Sequence, residues 1–173
     1  MLERCVVLFP EFTNIDIINW IRDKYDPLSA FIKPHITLVF PFVSGLASDE
    51  IATHVQNAAK SFAPFNLTMK GFTASIEAEE TYIFLNITEG LQEVYRLSKS
   101  LYTGILDEHQ SEQYKNSYLP HITVGRIGKD ADYQSILVDI GHVETTFTAL
   151  IDSIYVEITN YDDSSVTEMI VNL

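Results

Sequence analysis

One tetrapeptide occurs twice in this chain, as Pro34-His35-Ile36-Thr37 and as Pro120-His121-Ile122-Thr123. The chain has only 5 His and 6 Pro among its 173 residues, so two copies of so specific a string are not a chance product of composition. The spacing carries chemistry. In a strand, residues i and i+2 face the same way, their Cα atoms roughly 6.6 Å apart at ~3.3 Å per residue. His35 and Thr37 therefore project together, with Ile36 and Leu38 turned into a core. His121 and Thr123 repeat the arrangement over Ile122 and Val124. Two imidazoles aimed at one point can act as general base and general acid in a single step, because His titrates near neutrality. Two Thr hydroxyls beside them can donate hydrogen bonds to non-bridging phosphate oxygens. This set suits an in-line displacement at phosphorus, with water deprotonated on one side and an ester oxygen protonated on the other, and it requires no metal.

The other histidines do not join it. His54, His109 and His142 lack a Thr at i+2, and no two histidines sit at i, i+2 or i, i+4, so a His-based metal site is not expected. His54 and His109 read as solvated or capping residues. Lys33 has the parity of His35 if the strand runs through Pro34, which makes it a candidate phosphate contact. Lys115 and Lys129 could rim the cleft, or simply be solvated. Phe9, Phe42, Tyr82 and Tyr118 lie on or beside the expected cleft strands, where a ring could stack on a nucleobase or pack in the core.

The elements that must position these residues are short strands alternating with helices. Strands are expected at Arg4–Phe9, Ile36–Phe42, Phe65–Ile76, Thr81–Thr88, Ile122–Ile127, Phe147–Thr159 with a bend near Asp152, and Val166–Val171. The acidic turn Glu77–Glu80 joins two of them as a hairpin. Helices are expected from Thr13 to about Lys24, opened by a Thr13-x-x-Asp16 capping box, and from an N-cap at Ser48 through Phe62. Others run from Gly90 to about Asp107 and from Asp130 to about Ile140. A polar loop should span Glu108–Ser117. The order is mixed, so α+β with mostly antiparallel sheet is favoured. The two motifs lie half a chain apart, which implies two lobes related by a pseudo-two-fold axis, with outer helices, flanking a central cleft. Residues 1–173 read as a single bilobal domain.

The chain carries 11 Lys and Arg against 24 Asp and Glu, a net charge of −13, which argues against duplex DNA as a partner. No apolar run approaches the ~18 residues of a membrane span, and the N-terminus is too weakly basic for a signal peptide. The single cysteine, Cys5, fits a reducing compartment, so a cytoplasmic protein is expected. No G-x-G-x-x-G, P-loop or G-x-S-x-G is present. No cofactor and no obligate protein partner is inferred.

The paired motifs, Pro-His-Ile-Thr-Leu at 34–38 and Pro-His-Ile-Thr-Val-Gly-Arg at 120–126, resemble those of the two-histidine phosphoesterase superfamily. That group includes the 2′-5′ RNA ligase-like and RNA 2′,3′-cyclic phosphodiesterase proteins. The resemblance spans most of the chain and implies two α+β lobes with both motifs in the cleft between them. It implies His35 and His121 as the acid/base pair and Thr37 and Thr123 as phosphate binders. It also places Arg126 where such proteins often carry Arg after the second motif. Strict alternation from His121 puts Arg126 on the opposite face. It reaches the cleft only if the strand twists or ends near Gly125, and otherwise forms a surface ion pair. The implied activity is metal-independent cleavage, or reversible ligation, of a 2′,3′-cyclic or 2′-5′ phosphodiester in a nucleotide or short RNA. The alternative is a non-catalytic phosphate- or nucleotide-binding module using the same cleft.

Overall fold

The computed structural model describes residues 1–162 and 164–173, and their side chains apart from that of Gln113. The strands are β1 (Leu2–Leu8), β2 (Ile36–Ser44), β3 (Phe65–Ile76), β4 (Glu80–Glu89), β5 (His121–Gly128), β6 (Phe147–Ile151), β7 (Ser153–Thr159) and β8 (Ser165–Asn172). The helices are α1 (Ile15–Tyr25), α2 (Ser48–Ala59), α3 (Leu91–Leu101), α4 (Glu112–Ser117) and α5 (Tyr133–Ile140), with a 3₁₀ turn over Gly104–His109.

The strands form two four-stranded sheets of order β2-β1-β7-β8 and β5-β4-β3-β6, every neighbouring pair antiparallel. The orders superpose term by term. In each sheet a motif strand stands at the edge beside the strand that precedes it in sequence; α1 lies between them in one case, and α3, the 3₁₀ turn and α4 in the other. This is the α+β, pseudo-two-fold arrangement of two antiparallel sheets that the sequence implies. The chain leaves the first sheet after β2, builds the second from β3 to β6, and returns at β7. The bend expected near Asp152 is that return: this one residue separates β6, in the second sheet, from β7, in the first.

The helices are exchanged between the halves. Helix α3 turns Val94, Leu97, Ser98 and Leu101, the i, i+3, i+4, i+7 face, into the core and packs on β2. Helix α1 buries Ile18, Ile21 and Arg22 and packs on β5. The close approach there is made possible by Gly125, where an added Cβ would sit 3.2 Å from Tyr25 Cβ and 3.1 Å from Ile83.

Several expectations at element ends are corrected. Helix α1 starts at Ile15 behind Asn14, which makes no side-chain cap, so the Thr13 capping box does not form. Ala47, not Ser48, is the N-cap of α2. Its amide donates to the Glu50 carboxylate, while the Ser48 hydroxyl donates to Glu168. The helix expected from Gly90 to Asp107 stops at Leu101, because the chain turns through Gly104 at φ +52° into the 3₁₀ segment. The expected loop 108–117 contains α4, capped by Ser111, whose hydroxyl accepts from the Tyr114 amide. His54 does cap: its Nε2 lies 2.8 Å from the Leu101 carbonyl at the end of α3. No helix among the described residues is long and apolar enough to cross a membrane.

Candidate active site

Both motif strands carry the same irregularity. In β2, Thr37 pairs with Val7 and Val39 with Val6, so Leu38 is an extra residue. In β5, Thr123 pairs with Phe84 and Gly125 with Ile83, so Val124 is the extra residue. A bulge shifts side-chain parity by one. The fifth residue after each histidine, Phe40 in one strand and Arg126 in the other, therefore returns to the face that carries His and Thr. Strict alternation mis-assigned Arg126 for this reason. The Leu38 carbonyl accepts from Ser98 Oγ of α3 at 2.6 Å. The open edge of β2 is closed from the second half as well. Tyr118 donates to the Thr37 carbonyl at 2.7 Å, and the Phe40 amide donates to the Tyr102 hydroxyl at 2.9 Å.

The two motifs meet in one cavity of about 200 Å³, which His35, Thr37, His121 and Thr123 line together. Each histidine is anchored identically. His35 Nδ1 donates to the Lys33 carbonyl at 2.8 Å, and His121 Nδ1 donates to the Leu119 carbonyl at 2.6 Å. A carbonyl can only accept, so Nδ1 carries the proton and Nε2 is left with its lone pair for the cavity. The intervening residue is proline in both motifs, which explains why Pro belongs to the repeat: it fixes the extended turn that brings the i−2 carbonyl under the ring. Neither Thr37 nor Thr123 hydroxyl has a partner among the described residues, so both are available to a ligand.

The rings differ in their company. His121 stacks on Phe84 with centroids 3.5 Å apart and planes at 20°, whereas His35 meets Phe9 edge-on at 6.2 Å. Desolvation lowers the pKa of both. For His121 it outweighs the Leu119 hydrogen bond and, with repulsion from His35, brings the value to about 4. For His35 burial is opposed by the Lys33 hydrogen bond, and nearby Arg22 adds to the lowering while Asp26 and Glu157 oppose it. An anion bound between them would raise both.

Of the other candidates, Tyr82 and Tyr118 line the cavity. Tyr118 is committed to the β2 edge by its hydroxyl, and Tyr82 donates to Glu80. Arg126 shares the cleft face but does not line the cavity, and its Nε contacts both Glu80 oxygens at 2.9 Å. Lys33 contributes its carbonyl, while its ammonium lies over Phe9 away from the cavity. Phe9 touches His35 from outside the cavity. Phe42 is buried against His109, and Lys115 and Lys129 pair with Glu112 and Glu79. Sequence reasoning missed Phe40, Phe84 and Glu77, which do line it. Phe84 was legible, being two residues from Tyr82 on one strand face; Phe40 was hidden by the bulge. No cluster of three or more His, Cys, Asp or Glu is placed to hold a metal among the described residues.

The profile of the 2′-5′ RNA ligase superfamily matches residues 10–163, a span that includes both motifs. The chain belongs to that superfamily. A Bacillus pumilus protein with the provisional name of a phosphoesterase is 32% identical over 133 residues, covering 76% of this chain and 74% of its own. A Bacillus licheniformis protein of the same provisional name is 29% identical over 150 residues, covering 85% and 84%. Among solved structures, Escherichia coli LigT complexed with 3′-AMP is similar at a TM-score of 0.63 and 14% identity, covering 99% of this chain and 98% of its own. Kluyveromyces marxianus Usb1 is similar at 0.59 and 9%, covering 95% and 96%. At these identities the structural likenesses establish the superfamily's fold.

Proposed function

We propose that this protein is a metal-independent phosphodiesterase acting on a 2′,3′-cyclic phosphate or 2′-5′ phosphodiester of a nucleotide or short RNA. The observation that carries the reading is the convergence of two identically anchored His–Thr pairs on one small cavity, with both Nε2 atoms and both hydroxyls available. One neutral imidazole takes a proton from water and the protonated one gives a proton to the departing oxygen. Thr37 and Thr123 hold the non-bridging oxygens as charge builds on them. The provisional phosphoesterase names of the Bacillus relatives support this, and the complexes of LigT with ATP and with 3′-AMP support a nucleotide-sized ligand. The net charge of −13 favours a small or short substrate over long RNA.

The test is hydrolysis of nucleoside 2′,3′-cyclic monophosphates and of a 2′-5′ dinucleotide by wild type, His35→Ala and His121→Ala, in the presence of EDTA. Each substitution is expected to lower kcat by about 10²- to 10⁴-fold in a protein with unchanged circular dichroism. Because the two groups act in one step, the double variant should be little worse than either single one. Wild type that binds these esters without turning them over would instead make the cleft a binding site.

A further inference from the structure

A larger space, of about 830 Å³, lies between α1, the end of β1 and the segment 29–34. It shares no lining residue with the cavity between the motifs. Phe9 and Ile32 part it from a slot of about 120 Å³ that reaches His35 and has Glu157 in its wall. Pockets for organic ligands begin at ~300 Å³, so no such ligand passes through the slot, while the larger space is of a size to hold one. It is a chamber of its own rather than an arm of the cleft.

Helix α1 turns Ile15, Asn19, Arg22 and Asp23 to the chamber, the i, i+4, i+7, i+8 positions of one face. Arg22 is the decisive residue. Its side chain is 4% exposed, and its Nε donates to Asp26 at 2.9 Å. A guanidinium has five N–H donors. The four on the Nη atoms meet no acceptor among the described residues. Buried charged donors left without partners are costly, so they call for an acceptor that enters through the chamber. Lys33 lines the same space, its Nζ 5.8 Å from the centre of the Phe9 ring, and pairs with no carboxylate among the described residues. Flat apolar walls come from Phe9, Phe31 and Tyr155, the first and last in edge contact at 5.0 Å. Asn19, Asp23 and Glu11 add an amide and two carboxylates that make no hydrogen bond or ion pair among the described residues.

We propose that this chamber is a second ligand site, outside the cleft, for a nucleoside monophosphate. The phosphate accepts from the Arg22 Nη groups and from Lys33, a planar fork and a point charge that together suit a dianion. The base packs on the Phe9, Phe31 and Tyr155 rings. Asp23 and Glu11 would repel a bare anion, but they accept from the ring N–H and amino groups of a base, and the Asn19 amide both donates and accepts. Those acidic groups select a nucleotide over inorganic phosphate or a plain carboxylate. Occupancy does not depend on the reaction assigned to the cleft. It does bear on the cleft's geometry, because the chamber's wall includes Lys33, whose carbonyl anchors His35 Nδ1.

The experiment titrates AMP into the protein and follows by NMR the methyl groups of Ile15 and Ala30, which line the chamber, and of Leu119, which lines the cleft. Ile15 and Ala30 are expected to shift on a binding curve of their own. Lys33→Gln and Arg22→Gln should each weaken that curve about tenfold, the worth of a hydrogen bond to a charged group. Arg22→Gln strands the Asp26 carboxylate, so Lys33→Gln decides the matter if that variant does not fold. Thr37→Val combined with Thr123→Val removes the cleft's hydroxyl donors and should leave the Ile15 curve within twofold of wild type. Adenosine and inorganic phosphate should each bind the chamber at least tenfold more weakly than AMP. Four results overturn the site: no shift at Ile15 and Ala30, a curve that tracks Leu119 and is lost with the two threonines, adenosine or phosphate binding as tightly as AMP, or indifference to Lys33→Gln.

Discussion

The two halves of the cleft share a tetrapeptide, a bulge at the same position and a histidine tied by Nδ1 to the carbonyl two residues back. They differ in what surrounds that core. Opposite Thr123 stands Phe84, and opposite Thr37 stands Val7; the fifth residue after the histidine is Arg126 in one half and Phe40 in the other. Two residues after the second threonine comes Gly125, where the first half has the buried Val39. On the proposed function, what is common to both halves holds the phosphate, and what differs sets the space on either side of it. A symmetric device has been given two unlike neighbours, which is what an asymmetric substrate requires.

The sharpest way to break the comparison is at the shared core. Thr37→Val and Thr123→Val each remove one donor to a non-bridging oxygen and should each lower kcat about 10²-fold, with kcat/KM falling in step. A large loss for one and none for the other would mean that only one half binds phosphate. The next test copies the first half into the second. Gly125→Val drives a branched side chain into Tyr25 and Ile83, and overpacking of this kind costs about 1–3 kcal/mol, read as a lower urea midpoint. An unchanged midpoint would show that α1 does not bear closely on β5.

A smaller effect is expected from Arg126→Met. Its guanidinium is about one-third exposed and paired with Glu80, so KM should rise less than tenfold with kcat unchanged. A larger fall in kcat would put Arg126 on the phosphate itself. The smallest effect is a displaced pH optimum. Both imidazoles of the free protein titrate below the ordinary 6.5, so both limbs of the kcat/KM profile move to acid and the bell centres below pH 6.5. The same sign governs stability. Protons bind the unfolded histidines more readily, so stability is full above pH 6.5 and declines as pH falls towards about 4, and His121→Gln should flatten that decline in a thermal scan. A bell centred above 6.5 would contradict the desolvation of the pair.

The sequence showed the site's centre plainly, because period-two alternation and a duplicated string are local signals that survive without coordinates. The same alternation failed at Arg126 and Phe40. A bulge is decided by pairing with another strand, β4 in one case and β1 in the other; Gly125 hints at it in the second motif, and nothing in residues 35–40 announces it in the first. Helix ends failed for a similar reason. Gly104 ends the helical run in a left-handed turn that the apolar stripe through Ile105 conceals. The sheet change at Asp152 was legible only as a bend, since it takes the whole strand order to show that its two sides belong to different sheets.

The exchange of helices has a mechanical consequence. The strand that carries His121 is held from behind by α1, built from residues 15–25, and the strand that carries His35 is held by α3, built from residues 91–101. Prying the sheets apart like jaws would strip each motif strand of its support, so the packing of both helices opposes opening of the cleft. Cut between β2 and α2, the chain would yield two fragments, each exposing the underside of its own motif strand. Each would be sticky alone, and together they would refold only by threading each helix back behind the other's strand.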